Sequence, residues 1–228
     1  VALASVAGWQ HQTHRTRSKV VQNIGAGRAS LRTTPTGANE LWTSSTVTIT
    51  LDPTVQKLTP HAKDAVEHAY GAWLGDVSTL PQVTFDIAKK PGKAEQDGVN
   101  LVLVGPITVP GQEEDLALTI GYADETTGEL VEADTIFNSA YDWTSIEGSG
   151  DGSADCGNKF DLQNVATHEA GHFFGLGEDM TDTSNTMYYK SLPCQTSKRA
   201  PTSVDVSVIT GLYAQAQTSA PTSGGCSK

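Results

Sequence analysis

Residues 46–51, TVTITL, alternate polar and apolar, the pattern of a strand with one buried face. From Ala62 the period changes. Ala62, Ala65, Val66, Ala69, Tyr70 and Trp73 fall on one face of a helix, with Thr59 placed to cap it and Pro60 at its first position. QVTFDI (82–87) and VNLVLV (99–104) read as strands, the second apolar on both faces and so expected to be fully buried. LALTI (116–120) is a further strand, and GYADETTGELVEAD (121–134) is turn-rich and acidic around TTG. Asp161 precedes Leu162, Val165 and Ala166 as an N-cap and predicts a helix over 162–174, which Gly175 ends in a left-handed conformation. A last helix is capped by Thr202 and carries the stripe Val204, Val208, Ile209, Leu212 and Tyr213; beyond Ala214 the chain turns polar and is expected to lose order. Strands and helices in this order predict an α/β fold with a right-handed crossover and a partly parallel sheet. The chain has no internal repeats.

The chemistry lies in HEAGHFFGLGED, residues 168–179. Residues four apart on a helix share a face, so His168 and His172 present two imidazoles to one ion, with Glu169 beside the first. A catalytic zinc site takes three protein ligands and leaves a position for water. Such an ion lowers a water's pKa toward ~7, and the neighbouring Glu is suited to accept the proton. The turn at Gly175 brings the acids behind it back toward the imidazoles. Glu178 is the candidate third ligand and Asp179 the alternative; both could instead be solvated surface acids. Calcium is a second candidate ion. Asp151, Ser153 and Asp155 have the alternate spacing of a calcium loop, but Leu162 stands where the twelfth-position Glu is required, which leaves a Gly/Ser-rich rim loop.

The stretch resembles the metzincin signature H-E-x-x-H-x-x-G-x-x-H with its following Met-turn. His168, Glu169, His172 and Gly175 match, Glu178 occupies the position of the usual third His, and SNTMYYK supplies Met187 for the Met-turn. The nearest branch is the matrixins, of bacterial type. The resemblance runs from about Leu41 to Ala214, through TVTITLDP, AVEHAYGAWLGDV, LALTIGYADETTGELVEADTIFN, DLQNVATHEAGH and SVDVSVITGLYA. It implies a twisted, mixed five-stranded sheet, an active-site helix, a Met-turn and a C-terminal helix. It also implies a zinc endopeptidase with one catalytic zinc, Glu169 as general base, and protein or peptide substrates. Leu116, Ala117, Leu118 and Thr119 would form an antiparallel edge strand that pairs with an extended peptide. Met187 would be a packed floor under the ligands. Tyr188 and Tyr189 would wall the specificity pocket, or Tyr189 would stabilise the developing oxyanion. Matrixins bind structural zinc and calcium near 121–134; this stretch has no His, so the structural zinc is expected to be missing, while calcium could use its carboxylates.

Charge divides the chain. The net charge of −11 argues against nucleic acid as a partner, and no apolar run reaches the ~18 residues of a membrane span. Residues 1–39 hold Arg15, Arg17, Lys19, Arg28 and Arg32 and no acid; the rest carries 10 basic and 26 acidic residues, or −16. This suggests a basic extension or propeptide remnant over 1–39, a catalytic domain over 40–215 and a flexible tail over 216–228. The arm either extends from the domain or lies over an acidic cleft. VALASVAG resembles the end of a signal peptide, and no Cys precedes Cys156 to serve as the matrixin latency thiol. A secreted monomer is expected. In the resembling fold the loops of Cys156 and Cys194 face each other, which implies a disulfide between them and leaves Cys226 in the tail. A non-catalytic binding protein on the same scaffold, or a latent zymogen whose arm donates His11 or His14, are the competing readings.

Overall fold

A computed structural model describes residues 29–146 and 156–219. The five-stranded sheet is built from β1 (Thr46–Leu51), β2 (Gln82–Ile87), β3 (Asn100–Gly105), β4 (Ala117–Ala123) and β5 (Leu130–Asn138), in the order β2-β1-β3-β5-β4. The first four in that order run parallel; β4 pairs antiparallel with β5 and forms an edge. Among the described residues, three α-helices complete the fold: α1 (Ala62–Asp76), α2 (Leu162–Phe173) and α3 (Ser203–Ser219).

Helix α1 buries the six residues its periodicity marks, Ala62 through Trp73. The Trp73 indole N–H donates to the Thr167 carbonyl at 2.8 Å and ties α1 to α2. The helix start differs from expectation. His61 is the N-cap, while Thr59 and Pro60 stand in the preceding turn, where the Ala62 N–H donates to the Thr59 carbonyl at 3.2 Å. The Thr59 hydroxyl is taken by Ser145 at 2.6 Å, so a tertiary partner wins over the local cap. Strand β1 alternates as its pattern predicts. Strand β3 is not fully buried: Leu101 and Val102 are, but Leu103 and Val104 are half-buried. Strand β4 is enclosed on both faces. Leu118, Ile120 and Tyr122 join Ile107 and Ile136 in a small second core, and Ala117 belongs to the main one. Helix α3 buries Ile209, Leu212 and Tyr213 and runs to Ser219, past the expected end of order at Ala214.

Residues 29–39, read from sequence as part of the extension, lie against the turn that follows α2. The Ser30 N–H donates to the Glu178 carbonyl at 3.1 Å, the Gly177 N–H to Ser30 at 2.7 Å, and the Arg32 N–H to Gly175 at 2.9 Å. Arg32 is buried. Its guanidinium pairs with the buried Glu40 at 3.1 Å and reaches the carbonyls of Thr119 and His172 at 3.4 Å. Residues 1–28, the 147–155 rim loop with its candidate calcium residues, and Cys226 lie outside the described residues.

Removing one partner of a buried ion pair leaves an uncompensated charge, at a cost of about 3–5 kcal/mol. Arg32→Met and Glu40→Leu should each lower unfolding free energy by that order in denaturant titrations, and the double variant Arg32→Met/Glu40→Leu should recover most of it. Additive losses in the double variant would show that the pair is not coupled.

Candidate metal centre

Helix α2 is held at its start by Asp161. One carboxylate oxygen accepts from the Asn164 N–H at 2.9 Å, and the side chain also pairs with Arg199 through bonds of 2.8 and 2.6 Å. The helix then runs almost wholly buried, which carries His168, Glu169 and His172 inside the fold. It stops where predicted: Gly175 has φ +105°, and a Cβ there would collide with the Glu40 carbonyl.

Each imidazole is oriented by a backbone carbonyl. His168 Nδ1 lies 2.8 Å from the Thr186 oxygen, and His172 Nδ1 lies 2.8 Å from the Leu176 oxygen. A carbonyl only accepts, so both Nδ1 atoms carry a proton, and in the neutral rings that a metal ion requires both Nε2 atoms present lone pairs. Those two Nε2 atoms are 3.1 Å apart. Glu178 faces them with one oxygen 3.4 Å from each. Two lone pairs and a carboxylate converging in a buried site repel one another unless a cation lies among them. Metal–ligand bonds of about 2.0–2.1 Å in a tetrahedral site place neighbouring donor atoms about 3.3 Å apart, so the spacing suits zinc. The electrostatics agree in sign. Burial disfavours the charged form of His172, but Glu178 and then Glu169 outweigh it and its pKa is raised. Burial likewise disfavours the Glu178 carboxylate, yet His168 and His172 hold its pKa well below the usual range.

Glu169 is buried, with a ligand atom within 4.8 Å of those of His168 and His172. Asp179 does something else. Its carboxylate accepts from the N–H and hydroxyl of Thr181, both at 2.8 Å, and from the Asn185 amide at 2.6 Å, so it ties the following turn. Its backbone is stitched to Met187 and Tyr189 by bonds of 2.7 and 3.1 Å. Met187 is fully buried below the helix, in the space that a side chain at Gly171 would occupy. Tyr188 and Tyr189 meet edge to face with ring centres 4.8 Å apart, and Tyr189 is exposed, with the Lys190 ammonium 4.9 Å from its ring centre. Cys156 and Cys194 form a disulfide with Cα atoms 5.6 Å apart. Ala117, Leu118 and Thr119 lie on edge strand β4; Leu116 stands just before it and its carbonyl accepts from the Asn138 N–H at 2.9 Å.

Four supporting residues escape a sequence reading. Asp205 accepts from the Thr186 N–H at 2.8 Å, and so fixes the carbonyl that orients His168. Buried Lys198 donates to the carbonyls of Tyr188 and Lys190 behind the tyrosine wall, and burial pushes its pKa down to about 8. Arg199 holds the start of α2. Ser30 binds the Glu178 backbone with its hydroxyl as well as its N–H. Only Asp205 leaves a trace in the sequence, as the fourth residue of a Thr-x-x-Asp helix start, and that trace points to a cap and not to the Met-turn.

An α/β domain with His-Glu-x-x-His on its central helix and a third donor in the turn behind it defines a metallopeptidase-type site of the zinc class. The matrixin family model, peptidase M10, matches residues 41–214, and the chain belongs to that family. No curated protein matches the chain significantly.

Glu178→Ala should weaken zinc binding by more than the ~10–100-fold typical of losing an outer-shell partner, measured by chelator competition. Asp179→Ala should keep the zinc and lower the melting temperature. Zinc loss from the Asp179 variant alone would make Asp179 the ligand.

Proposed function

We propose that this protein is a secreted zinc-dependent endopeptidase that hydrolyses protein or peptide substrates. The observation that carries this is the convergence of the two Nε2 atoms and the Glu178 carboxylate beside a buried Glu169. His168, His172 and Glu178 would hold the zinc, which when bound supplies a Lewis acid that acidifies water and polarises the scissile carbonyl. Glu169 takes the proton of the attacking water and returns it to the leaving amine. The main chain of Leu116–Thr119, at the open edge of the sheet, aligns an extended substrate. Tyr188 and Tyr189 wall the pocket, a role supported by their edge-to-face contact and by the Lys190 contact. Secretion is supported by the Cys156–Cys194 disulfide. Among the described residues, no helix is long and apolar enough to cross a membrane.

Casein cleavage measured with zinc content tests this. One zinc per chain, cleavage abolished by chelator, and a loss of ~10²–10⁴-fold in Glu169→Gln with zinc retained are expected. Zinc without cleavage in the wild type favours the non-catalytic or latent reading. Tyr189→Phe should leave kcat/KM within about twofold; a loss above tenfold would place its hydroxyl at the oxyanion.

Calcium is the second part of the proposal. Glu132 and Asp134 are buried on β5. Glu132 accepts the N–H groups of Asp97 and Gly98, while Asp134 Oδ2 is buried with no hydrogen-bond partner. Burial raises the Asp134 pKa from 3.8 to about 8. A raised folded-state pKa contributes stability below the unfolded value that is lost as pH rises through the folded one. The metal-free melting temperature should therefore fall between pH 5 and pH 8, and millimolar calcium should restore it. A melting temperature indifferent to calcium at pH 8 would remove this ion.

A further inference from the structure

A general base needs one carboxylate oxygen aimed at water and a reason not to rotate away. On β4, side chains alternate across the sheet: Leu118 and Ile120 enter the second core, and Thr119 between them points to α2. Thr119 is fully buried, and its hydroxyl lies 2.6 Å from Glu169 Oε2. The Thr119 hydroxyl oxygen is also 3.0 Å from the Thr135 hydroxyl and 3.4 Å from the Glu169 carbonyl. Thr135 is the residue directly opposite in the β4–β5 register, and it too is buried.

Proton accounting sets the direction of this chain. A hydroxyl carries one proton, and an ionised carboxylate only accepts. The 2.6 Å contact therefore takes the Thr119 proton, at the short distance of a charge-assisted bond. Thr119 has only lone pairs left for Thr135, so Thr135 donates to Thr119 and Thr119 donates to Glu169. Burying two hydroxyls where valines would pack is costly unless the bonds are made.

We propose that Thr119 is a positioning residue for Glu169. Its hydroxyl, oriented by Thr135, holds Oε2 and so fixes the carboxylate rotamer that leaves Oε1 for the proton of the attacking water. This rests on the general-base role proposed above. It gives edge strand β4 two tasks: its main chain lies at the substrate side, and one of its side chains sets the base.

The test uses the full-length zinc-loaded chain. Thr119→Val, equal in shape, should lower kcat by about 10–100-fold, with KM, zinc affinity and melting temperature held. Thr119→Ser should bring kcat back to within about threefold, because it restores the donor without the methyl. A second readout needs no activity: the infrared carboxylate band of Glu169 in metal-free protein, assigned by difference against Glu169→Gln. It should shift in Thr119→Val and stay in Thr119→Ser. An unchanged kcat and an unmoved band in Thr119→Val overturn the proposal. If Glu169→Gln still cleaves, the general-base reading fails by itself, and the infrared band decides whether the Thr119 bond exists. Should the Val variant not fold, Thr119→Ala gives the same two readouts.

Discussion

Two imidazoles, each anchored at Nδ1 by a backbone carbonyl so that its Nε2 faces the other, are the constraint on which the site depends. With the Nε2 atoms 3.1 Å apart and Glu178 closing the third side, the arrangement is repulsive in itself. It must be held by the fold or satisfied by a cation. The fold contributes much of that hold. Thr186 orients one ring and is held by Asp205 of α3; Leu176 orients the other and pairs with Leu31. The site therefore draws on segments from both ends of the described chain. None of these carbonyls is chosen by its side chain, which is why composition and motif say nothing of them.

Close approach is the means by which the ligand helix and its turn are gathered. Gly171 sits one residue before His172, and the space its missing side chain leaves is taken by Met187. The Met-turn can thus pass directly beneath the imidazoles and offer the Thr186 carbonyl to His168. Gly175 turns the chain so that Glu178 faces the same point. The segment ending in Arg32 then covers this turn, and the Arg32 guanidinium reaches β4, the C-terminal end of α2 and Glu40 together. A buried cation bridging three elements is costly to desolvate, and here it is paired. Its position ties the edge strand to the C-terminal end of the ligand helix.

Much of this was legible in the sequence where a local rule and a tertiary contact point the same way. The α1 stripe, the Asp161 cap and the Gly175 stop are of that kind. The calls for care came where a polar side chain had a better partner elsewhere. Thr59 looked like a cap and bonds Ser145. Arg32 reads from sequence as part of a basic extension or cleft-covering arm, but its partner Glu40 is the first acid in the chain, eight positions away and across an irregular turn that no periodicity reveals. Asp179 and Glu178 are adjacent acids with the same local preference. Only the fold separates them, by turning one toward the imidazoles and engaging the other with Thr181 and Asn185.

The acid at 178 also has a physical logic that a third imidazole would lack. Two imidazoles with the carboxylates of Glu178 and Glu169 would bring two negative charges to a divalent ion, and the buried group would be neutral as a whole. With three imidazoles the same group would keep one positive charge in a site whose ligands are almost entirely removed from water, where an unbalanced charge is most expensive. Lys198 lies behind the pocket wall, held by backbone carbonyls, and Arg32 lies at the end of the ligand helix, already matched by Glu40. With Arg32 already matched by Glu40, a carboxylate at the third position would balance the ion itself.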